Sequence, residues 1–438
     1  MNSQFTGAPP HRGGMTPIVT ILAASVLLLY FVVTRSVSAS LSPEMALRLQ
    51  PNNGAALVDL AERSLLAEVT PARGAVAAAA SQPMRVEKPN SEPDNSQARI
   101  RLQAALAAAP LNARALRILA QLDERSGPRE QLLRLIAKLD IKESYAIDTL
   151  MHRAFESGDN RAAAKYADIL LRTNSTMLPS AVRLLVAIAE RPEGTMVVNE
   201  LLAGDPPWRR SFFLNMLASI TDARTPLALM QLLKSSSTPP GEEELNRYLQ
   251  FLVSKSFYQL AYYTWLQFLP ADRLASTGFL FNGAFESPAS GSPFDWNIAT
   301  DNATVIDFAQ RPDQPKKRAL LLDMRNARVE FSVYQMIVLA PGSFRLHGRF
   351  MGNLVGKRGV RWRVTCAGGT LLGESAMIVG EIKGWVDFNV DFEVPAEGCK
   401  AQTVTLSLDS RSASEKFVSG SLSFAEMSIH PQRAQPSR

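Results

Sequence analysis

The sequence predicts a multidomain protein with a transmembrane helix, an all-α array of helical hairpins and an all-β sandwich. Three observations predict this order. Residues 17–33 form an uncharged apolar run. Apolar residues then recur with a helical period between about residues 41 and 270, and after Leu269-Pro270 the period changes to two. The chain has 438 residues, 46% hydrophobic and 20% charged, enough for two or three folded cores.

The net charge argues against one class of partner, and the composition of the two terminal segments predicts disorder. The formal net charge is only +6, and Lys and Arg are spread along the chain. This balance indicates a solvated, slightly basic surface, and we expect no nucleic-acid partner. Residues 1–16 and 431–438 are polar or rich in Gly and Pro, so we expect two disordered tails.

The apolar run indicates membrane attachment. Crossing a bilayer takes at least about 17 apolar residues, so the run is just long enough. We expect residues 17–34 to form an uncleaved single-pass anchor. A cleaved signal peptide, with Val37 and Ala39 as its cleavage pair, is the alternative. The length of the run and the charge of Arg35 disfavour that alternative.

The orientation of the anchor depends on the cysteines, because Lys and Arg are nearly balanced on its two sides. Cys366 and Cys399 are the only two cysteines. In an oxidising compartment they can form one disulfide across roughly 34 residues; two unpaired buried thiols are the alternative. We expect an inner-membrane protein with the bulk of its chain in the periplasm.

Residues 41–270 contain paired helical segments with short breaks. One unit starts at Tyr145, turns at Gly158-Asp159 and places small or apolar residues on both helices: Leu150, Met151, Ala154, Ala163, Ala167 and Leu170. This unit resembles the tetratricopeptide repeat, a helical hairpin of 34 residues. The resemblance implies a stacked array whose concave surface binds partner proteins. The alternative is that the helices only separate the C-terminal domain from the membrane.

Two further features belong to this array. Residues 68–95 are rich in Ala, Pro and Ser, and we expect a flexible insertion there. Later segments keep the pattern of paired helices but lack the repeat signature. The last of them is rich in aromatic residues, which we expect to pack against the following domain. The later helices are expected at about 178–190, 207–220, 223–235, 242–253 and 256–268.

Residues 276–430 have the two-residue period of strands that are buried on one face. Eight or nine short strands separated by turn residues predict a jelly-roll sandwich. The strands are expected near 279–286, 303–309, 318–324, 329–339, 343–352, 359–366, 385–394, 402–409 and 420–429.

The most specific local signal is the opening motif Phe281-Asn282-Gly283-Ala284-Phe285-Glu286, followed by Pro293-Phe294-Asp295-Trp296. It resembles the start of jelly-roll carbohydrate-binding modules of the galactose-binding-like type. Three later segments are also similar: Tyr334-Gln335, Ala340–Leu346 and Trp385 leading to Val394-Pro395-Ala396. The resemblance implies a β domain that contacts glycan. It also implies a candidate structural calcium ion near Glu286 and Glu426, a metal-free domain being the alternative; we expect no other cofactor.

Strand alternation predicts a polar face opposite the core. If its strands are neighbours, that face presents planar polar groups that bond hydroxyls and an exposed Trp that stacks on a sugar ring. The candidate ligand-binding residues are Trp385, Asp387, Asn389, Asp391, Arg345, His347, Arg349, Arg361 and Arg363. The alternative is a solvated face with cross-strand ion pairs of little energetic value. Trp296 and Trp362 are expected in the core.

The sequence contains no recognisable catalytic motif. It has no Gly-rich phosphate loop, Cys-x-x-Cys, His-Glu-x-x-His or Gly-x-Ser-x-Gly. We therefore expect a non-catalytic, membrane-anchored binding or scaffold protein that assists envelope polysaccharide synthesis or export. The alternatives are a pure protein-assembly scaffold with a structural jelly roll, and an unrecognised glycan-processing enzyme.

Overall fold

The computed structural model describes residues 41–65, 95–123, 126–275, 277–311 and 313–432, together with Ser25, Val26 and Leu29. The chain divides into two compact units, Met1–Leu185 and Val186–Arg438. Most of the predicted anchor, the insertion up to residue 94 and the tails, apart from residues 431 and 432, lie outside the described residues. Within the described ranges, no helix is both long enough and apolar enough to cross a membrane.

The first unit is helical throughout its described residues. Its helices are α1 Pro43–Leu49, α2 54–65, α3 Ser96–Ala108, α4 Ala113–Leu122, α5 Ser126–Leu139, α6 Ser144–Glu156, α7 Asn160–Thr173 and α8 Leu178–Ala189, within which the division between the units falls.

The hairpin of α6 and α7 shows why this sequence forms paired helices. Gly158 turns the chain with φ +83°, which suits a residue without a Cβ atom. Asp159 then caps α7, since its carboxylate accepts a hydrogen bond from Ala162 N at 2.9 Å. Ala163 and Ala167 are completely buried and let the two helices approach closely. The helical character of the N-terminal region is confirmed.

The second unit begins with further helices, most of which the sequence predicted. They are α9 Gly194–Leu202, which was not expected, α10 Arg209–Met216, α11 Thr225–Lys234, α12 Glu242–Ser254, α13 Tyr258–Phe268 and the short α14 Ala271–Ala275.

The rest of the second unit is a sandwich of two five-stranded antiparallel sheets. Sheet A has the order β1-β4-β9-β6-β7, and sheet B has the order β2-β3-β10-β5-β8. The strands are β1 Asn297–Thr300, β2 Thr304–Gln310, β3 Arg318–Arg328, β4 Phe331–Ile337, β5 Gly342–Gly356, β6 Val360–Cys366, β7 Leu371–Glu374, β8 Gly380–Val394, β9 Gln402–Leu408 and β10 Phe417–Pro431.

One expected strand, at 279–286, is wrong. The segment consists of turns, because Asn282 and Phe285 have φ values of +51° and +58°, outside the range of a strand. Gly283 lies against β10, where Met427 N donates to Gly283 O at 2.9 Å. A Cβ atom on Gly283 would lie 2.0 Å from Met427 O, so only glycine fits. The opening motif is thus a turn packed beneath β10.

The core of the sandwich contains both tryptophans that were expected there. Trp296 and Trp362 are completely buried, with ring centroids 5.9 Å apart. The buried Gln335 side chain binds Phe281 through both of its polar atoms, accepting from Phe281 N and donating to Phe281 O at 2.9 Å each. A disulfide joins Cys366 at the end of β6 to Cys399 before β9.

The aromatic helix α13 packs against the sandwich, as expected. The ring centroids of Trp265 and Phe281 lie 4.9 Å apart, and those of Tyr262 and Phe294 lie 5.3 Å apart. This contact holds the last helices and the β domain together within the second unit.

Candidate functional site

Strands β5 and β8 are neighbours at one edge of sheet B, so most of the predicted polar residues share one surface. Their register places Arg345 opposite Asp391, His347 opposite Asn389 and Arg349 opposite Asp387. Trp385 also lies on β8, on the same side of the strand as Asp387, Asn389 and Asp391. We call this surface the ladder face: Arg345, His347, Arg349, Trp385, Asp387, Asn389 and Asp391.

The cross-strand pairs of the ladder face are in direct contact. Arg345 donates to Asp391 from Nε at 2.6 Å and from Nη2 at 3.0 Å. His347 Nδ1 lies 3.1 Å from Asn389 Oδ1, and Arg349 Nε lies 3.1 Å from Asp387 Oδ1. Hydrogen bonding from Arg345 holds the pKa of Asp391 below its ordinary value.

The turn between β2 and β3 adds residues that sequence reasoning missed. Arg311 is only 1% exposed, and its guanidinium carbon lies 4.3 Å from the centroid of the Trp385 ring. It donates to Asp313 at 2.7 and 3.1 Å and to Glu426 at 2.8 Å. Charged residues in a turn between two expected strands were visible in the sequence, but nothing there indicated that the turn reaches Trp385.

Glu426 connects this turn to the ladder face. Besides Arg311, its carboxylate lies 3.4 Å from Lys317 Nζ and 3.6 Å from Arg349 Nη1. Four cations, Arg311, Lys317, Arg345 and Arg349, therefore face four carboxylates, Asp313, Asp387, Asp391 and Glu426. The charge of the region is balanced.

Two further carboxyl groups of the network, besides Asp391, have lowered pKa values. Hydrogen bonds from Arg311 lower the pKa of Asp313 to about 2. Burial raises the pKa of Glu426, but hydrogen bonding by Arg311 and the charge of Lys317 outweigh burial and leave it below its ordinary value. Both groups are ionised at neutral pH.

A β-bulge in β10 aims Glu426 at these cations. The register of β10 against β5 shifts between Ala425 and Ser428, and Glu426 has φ +54°. The contact of Met427 with Gly283 fixes the next residue of the bulge. The opening motif therefore helps to position Glu426.

This geometry does not support the calcium prediction. Glu426 is surrounded by cations, whereas calcium requires six to eight oxygen ligands. Glu286 is exposed. No group of three or more His, Cys, Asp and Glu residues in the described chain is arranged to hold a metal ion.

Arg361 and Arg363 do not belong to the ladder face, contrary to the prediction. They lie on β6, which is in sheet A, and alternation alone had placed them with the other polar residues. Arg361 Nε lies 3.0 Å and Arg363 Nη2 2.6 Å from the carboxylate of Asp409, and both arginines also contact Glu374. They form a separate network on the outer face of sheet A.

Trp385 is half-buried rather than fully exposed, since Arg311 covers one face of its ring. A ligand that stacks on this indole must use the remaining surface or displace Arg311.

No family model matches the chain, and no curated protein matches it either. Among solved structures, the β sandwich resembles carbohydrate-binding modules. A CBM4 module is 12% identical with a TM-score of 0.27, and the match covers 35% of this chain and 99% of that one. TmCBM61, solved with β-1,4-galactotriose, is 18% identical with a TM-score of 0.26, over 36% and 99% of the two chains.

An enzyme is similar to a comparable degree. The Stig cyclase Fisc from Fischerella sp. TAU, solved with an indole compound, is 13% identical with a TM-score of 0.25, and the match covers 35% of this chain and 96% of that one.

Proposed function

We propose that the chain is a non-catalytic binding protein whose β domain contacts glycan and whose helical region docks partner proteins. In this proposal residues 17–34 anchor it in the inner membrane, its bulk lies in the periplasm, and a tetratricopeptide-like array provides the docking surface. It would act as an accessory of envelope polysaccharide synthesis or export.

The observation that carries the glycan proposal is the ladder face. Cross-strand contacts hold its side chains in place, so little side-chain entropy is lost when a ligand binds. Planar amide, guanidinium and carboxylate groups suit the hydroxyls of a sugar, and the indole of Trp385 lies beside them.

The balanced charge favours a neutral glycan. Arg345 uses Nε and Nη2 for Asp391, which leaves N–H groups of Nη1 for a ligand. The amide nitrogen of Asn389 offers two further donors. A neutral sugar can bind these groups without breaking a pair, whereas a polyanion would compete with Asp387 and Asp391 for their arginines.

The same contacts also support a second candidate, a protein-assembly scaffold whose jelly roll has no glycan ligand. Every cation and carboxylate of the network already has a partner, and Arg311 occupies one face of Trp385. Such pairing is what a purely structural surface requires.

A binding experiment on the full-length protein tests the first candidate. Immobilised xylan, β-1,4-galactan, β-glucan and mannan serve as neutral probes, and alginate serves as the anionic probe. We expect binding to a neutral probe that Trp385→Ala and Asn389→Ala each weaken by roughly tenfold, about 1.4 kcal/mol. Arg363→Ala on the other sheet is the matched control and should leave binding unchanged.

Two results would decide against the glycan proposal. Absence of binding to every probe favours the scaffold candidate, as does binding that Arg363→Ala weakens as much as Asn389→Ala. Crosslinking in intact membranes tests protein docking separately, because partners captured by the helical region should survive deletion of residues 276–438.

A further inference from the structure

A cavity in the second unit shares no residue with the ladder face and carries unbalanced charge. Its volume is about 840 Å³, and it is bordered by the loop before α11, the turn between α12 and α13, and Lys400 of the β domain. Its described lining contains three cations, Arg224, Lys255 and Lys400, against one carboxylate, Asp222. A cavity of this size and charge is suited to an anionic ligand.

The three cations are available. None of them has an ion-pair partner among the described residues, and all three are exposed. Lys255 directly follows α12, and its Nζ lies 5.9 Å from the centroid of the Phe251 ring in that helix.

The segments that carry these cations are held in place. Glu190 accepts hydrogen bonds from Thr221 N and Asp222 N at 2.7 and 3.1 Å, and Tyr248 Oη donates to Ala223 O at 2.7 Å. These bonds fix the backbone beside Arg224, so the loop is ordered before any ligand arrives.

Lys400 is fixed from the β domain. It follows Cys399, whose sulfur is bonded to Cys366 and whose carbonyl accepts from Gln402 Nε2 at 3.0 Å. The disulfide therefore has a consequence beyond stability, because it positions a cation at the cavity.

The cavity also has an apolar wall. Phe257 is 47% exposed although it is a large apolar residue, and Ile220, Phe251 and Leu260 line the same space. A polysaccharide with carboxylates would satisfy the cations but has no apolar side chain for this wall. An acidic peptide with an aromatic or aliphatic residue supplies both groups.

We propose that this cavity binds an acidic segment of a partner protein, anchored by an apolar side chain against Phe257 and neutralised by Arg224, Lys255 and Lys400. The inference rests on the proposed protein-docking role of the helical region and is independent of the glycan proposal.

Fluorescence polarisation on the full-length protein tests this site. The acidic probe is a fluorescein-labelled peptide of Asp and Glu residues around a central Phe. The neutral probe replaces its acids by Asn and Gln, and a third peptide replaces Phe by Ala. We expect saturable binding of the acidic probe, weakened roughly tenfold or more by Lys255→Glu/Lys400→Glu and severalfold by Phe257→Ala or by the Ala peptide.

Matched variants separate the cavity from overall charge. Lys357→Glu with Lys316→Glu makes the same change in net charge at exposed positions outside the cavity and should alter binding by less than about twofold. Three results would each overturn the proposal. The first is binding of the neutral probe as tight as that of the acidic probe, and the second is an equal loss of affinity in the control variant. The third is displacement of the probe by alginate, if binding of the alginate itself requires Lys255 and Lys400.

The outcomes also distinguish the two levels of inference. Partners crosslinked to the helical region without binding of the acidic probe would refute this site and leave protein docking standing. Absence of both would refute both.

Discussion

Breaking the buried Arg209–Glu244 pair by removing one partner should cost far more stability than breaking its exposed neighbour, Arg210–Glu243. Arg209 Nε and Nη2 lie 3.1 and 3.0 Å from the two oxygens of Glu244, and the same guanidinium donates to the carbonyls of Thr238 and Pro239 at 2.9 and 3.1 Å. The side chains of Arg209 and Glu244 are only 5% and 12% exposed.

Arg209→Met keeps the apolar stem and removes the guanidinium. It leaves the Glu244 carboxylate without its cation and two carbonyls without their donor. Removing one partner of a buried pair costs about 3–5 kcal/mol, and we expect a loss of that size in the free energy of unfolding. Urea unfolding followed by far-ultraviolet circular dichroism measures it, because the change affects helices α10 and α12.

The neighbouring pair is the control. Arg210 contacts Glu243 at 2.8 Å in a similar bidentate arrangement, but both side chains are more than half exposed. Water replaces these bonds when Arg210→Met removes them, so no change in stability should be resolved. The double variant Arg209→Met/Glu244→Leu should recover much of the loss, since no buried charge is left unpaired. If Arg209→Met destabilises the protein no more than Arg210→Met, the reasoning from burial is wrong.

Three further predictions concern the β domain. Gln335→Leu removes the hydrogen-bonding partners of Phe281 N and O, and thermal unfolding should show a loss of about 2–5 kcal/mol in the free energy of unfolding. A variant as stable as the wild type would mean that water replaces both bonds. Replacing Cys366 by Ser opens a loop of 33 residues, and a loss of about 4 kcal/mol is expected from the chain-entropy model; a stability equal to that of the wild type under oxidising conditions would contradict it. The pKa of Asp313 is lowered to about 2, so its contribution to stability is complete above about pH 4 and is lost as the pH falls towards 2. The difference in unfolding midpoint between wild type and Asp313→Asn should therefore shrink over that interval, and a difference that persists at pH 2 would exclude the Arg311 contact as its cause.

Local patterns in the sequence predicted most of the elements. Apolar residues at helical spacing predicted the helices from α8 to α13 except α9, because burial of one stripe fixes both the period and the length. Alternation predicted eight strands of the sandwich and placed Arg345 and Asp391 on a polar side. It failed at 279–286, where the positive φ values of Asn282 and Phe285 replace a strand by turns.

Other features could not be predicted because they depend on how strands associate. Alternation gives the side on which a residue lies but not the sheet to which its strand belongs, so Arg361 and Arg363 were grouped with the wrong surface. The position of Arg311 over Trp385 depends on the path of a turn, which no local pattern records. The place of Lys400 at the cavity could not be predicted either, because the helices that form the rest of the cavity are far from Lys400 in the sequence.

The two proposed sites differ in charge balance, and this difference should be visible in their response to salt. On the ladder face each cation is paired, as with Arg345 and Asp391 at 2.6 Å. A neutral ligand gains little attraction from such paired charges, so its affinity should depend little on ionic strength. Around the cavity, Arg224, Lys255 and Lys400 have no ion-pair partner in the part of the chain that the structure describes, and an acidic ligand loses attraction as ionic strength rises. Raising salt from about 50 mM to 500 mM should weaken the acidic peptide at least severalfold and leave glycan binding almost unchanged. Equal sensitivity of the two would mean that the cross-strand pairs do not persist when ligand binds, and the ladder face would then have to be treated as a charged site.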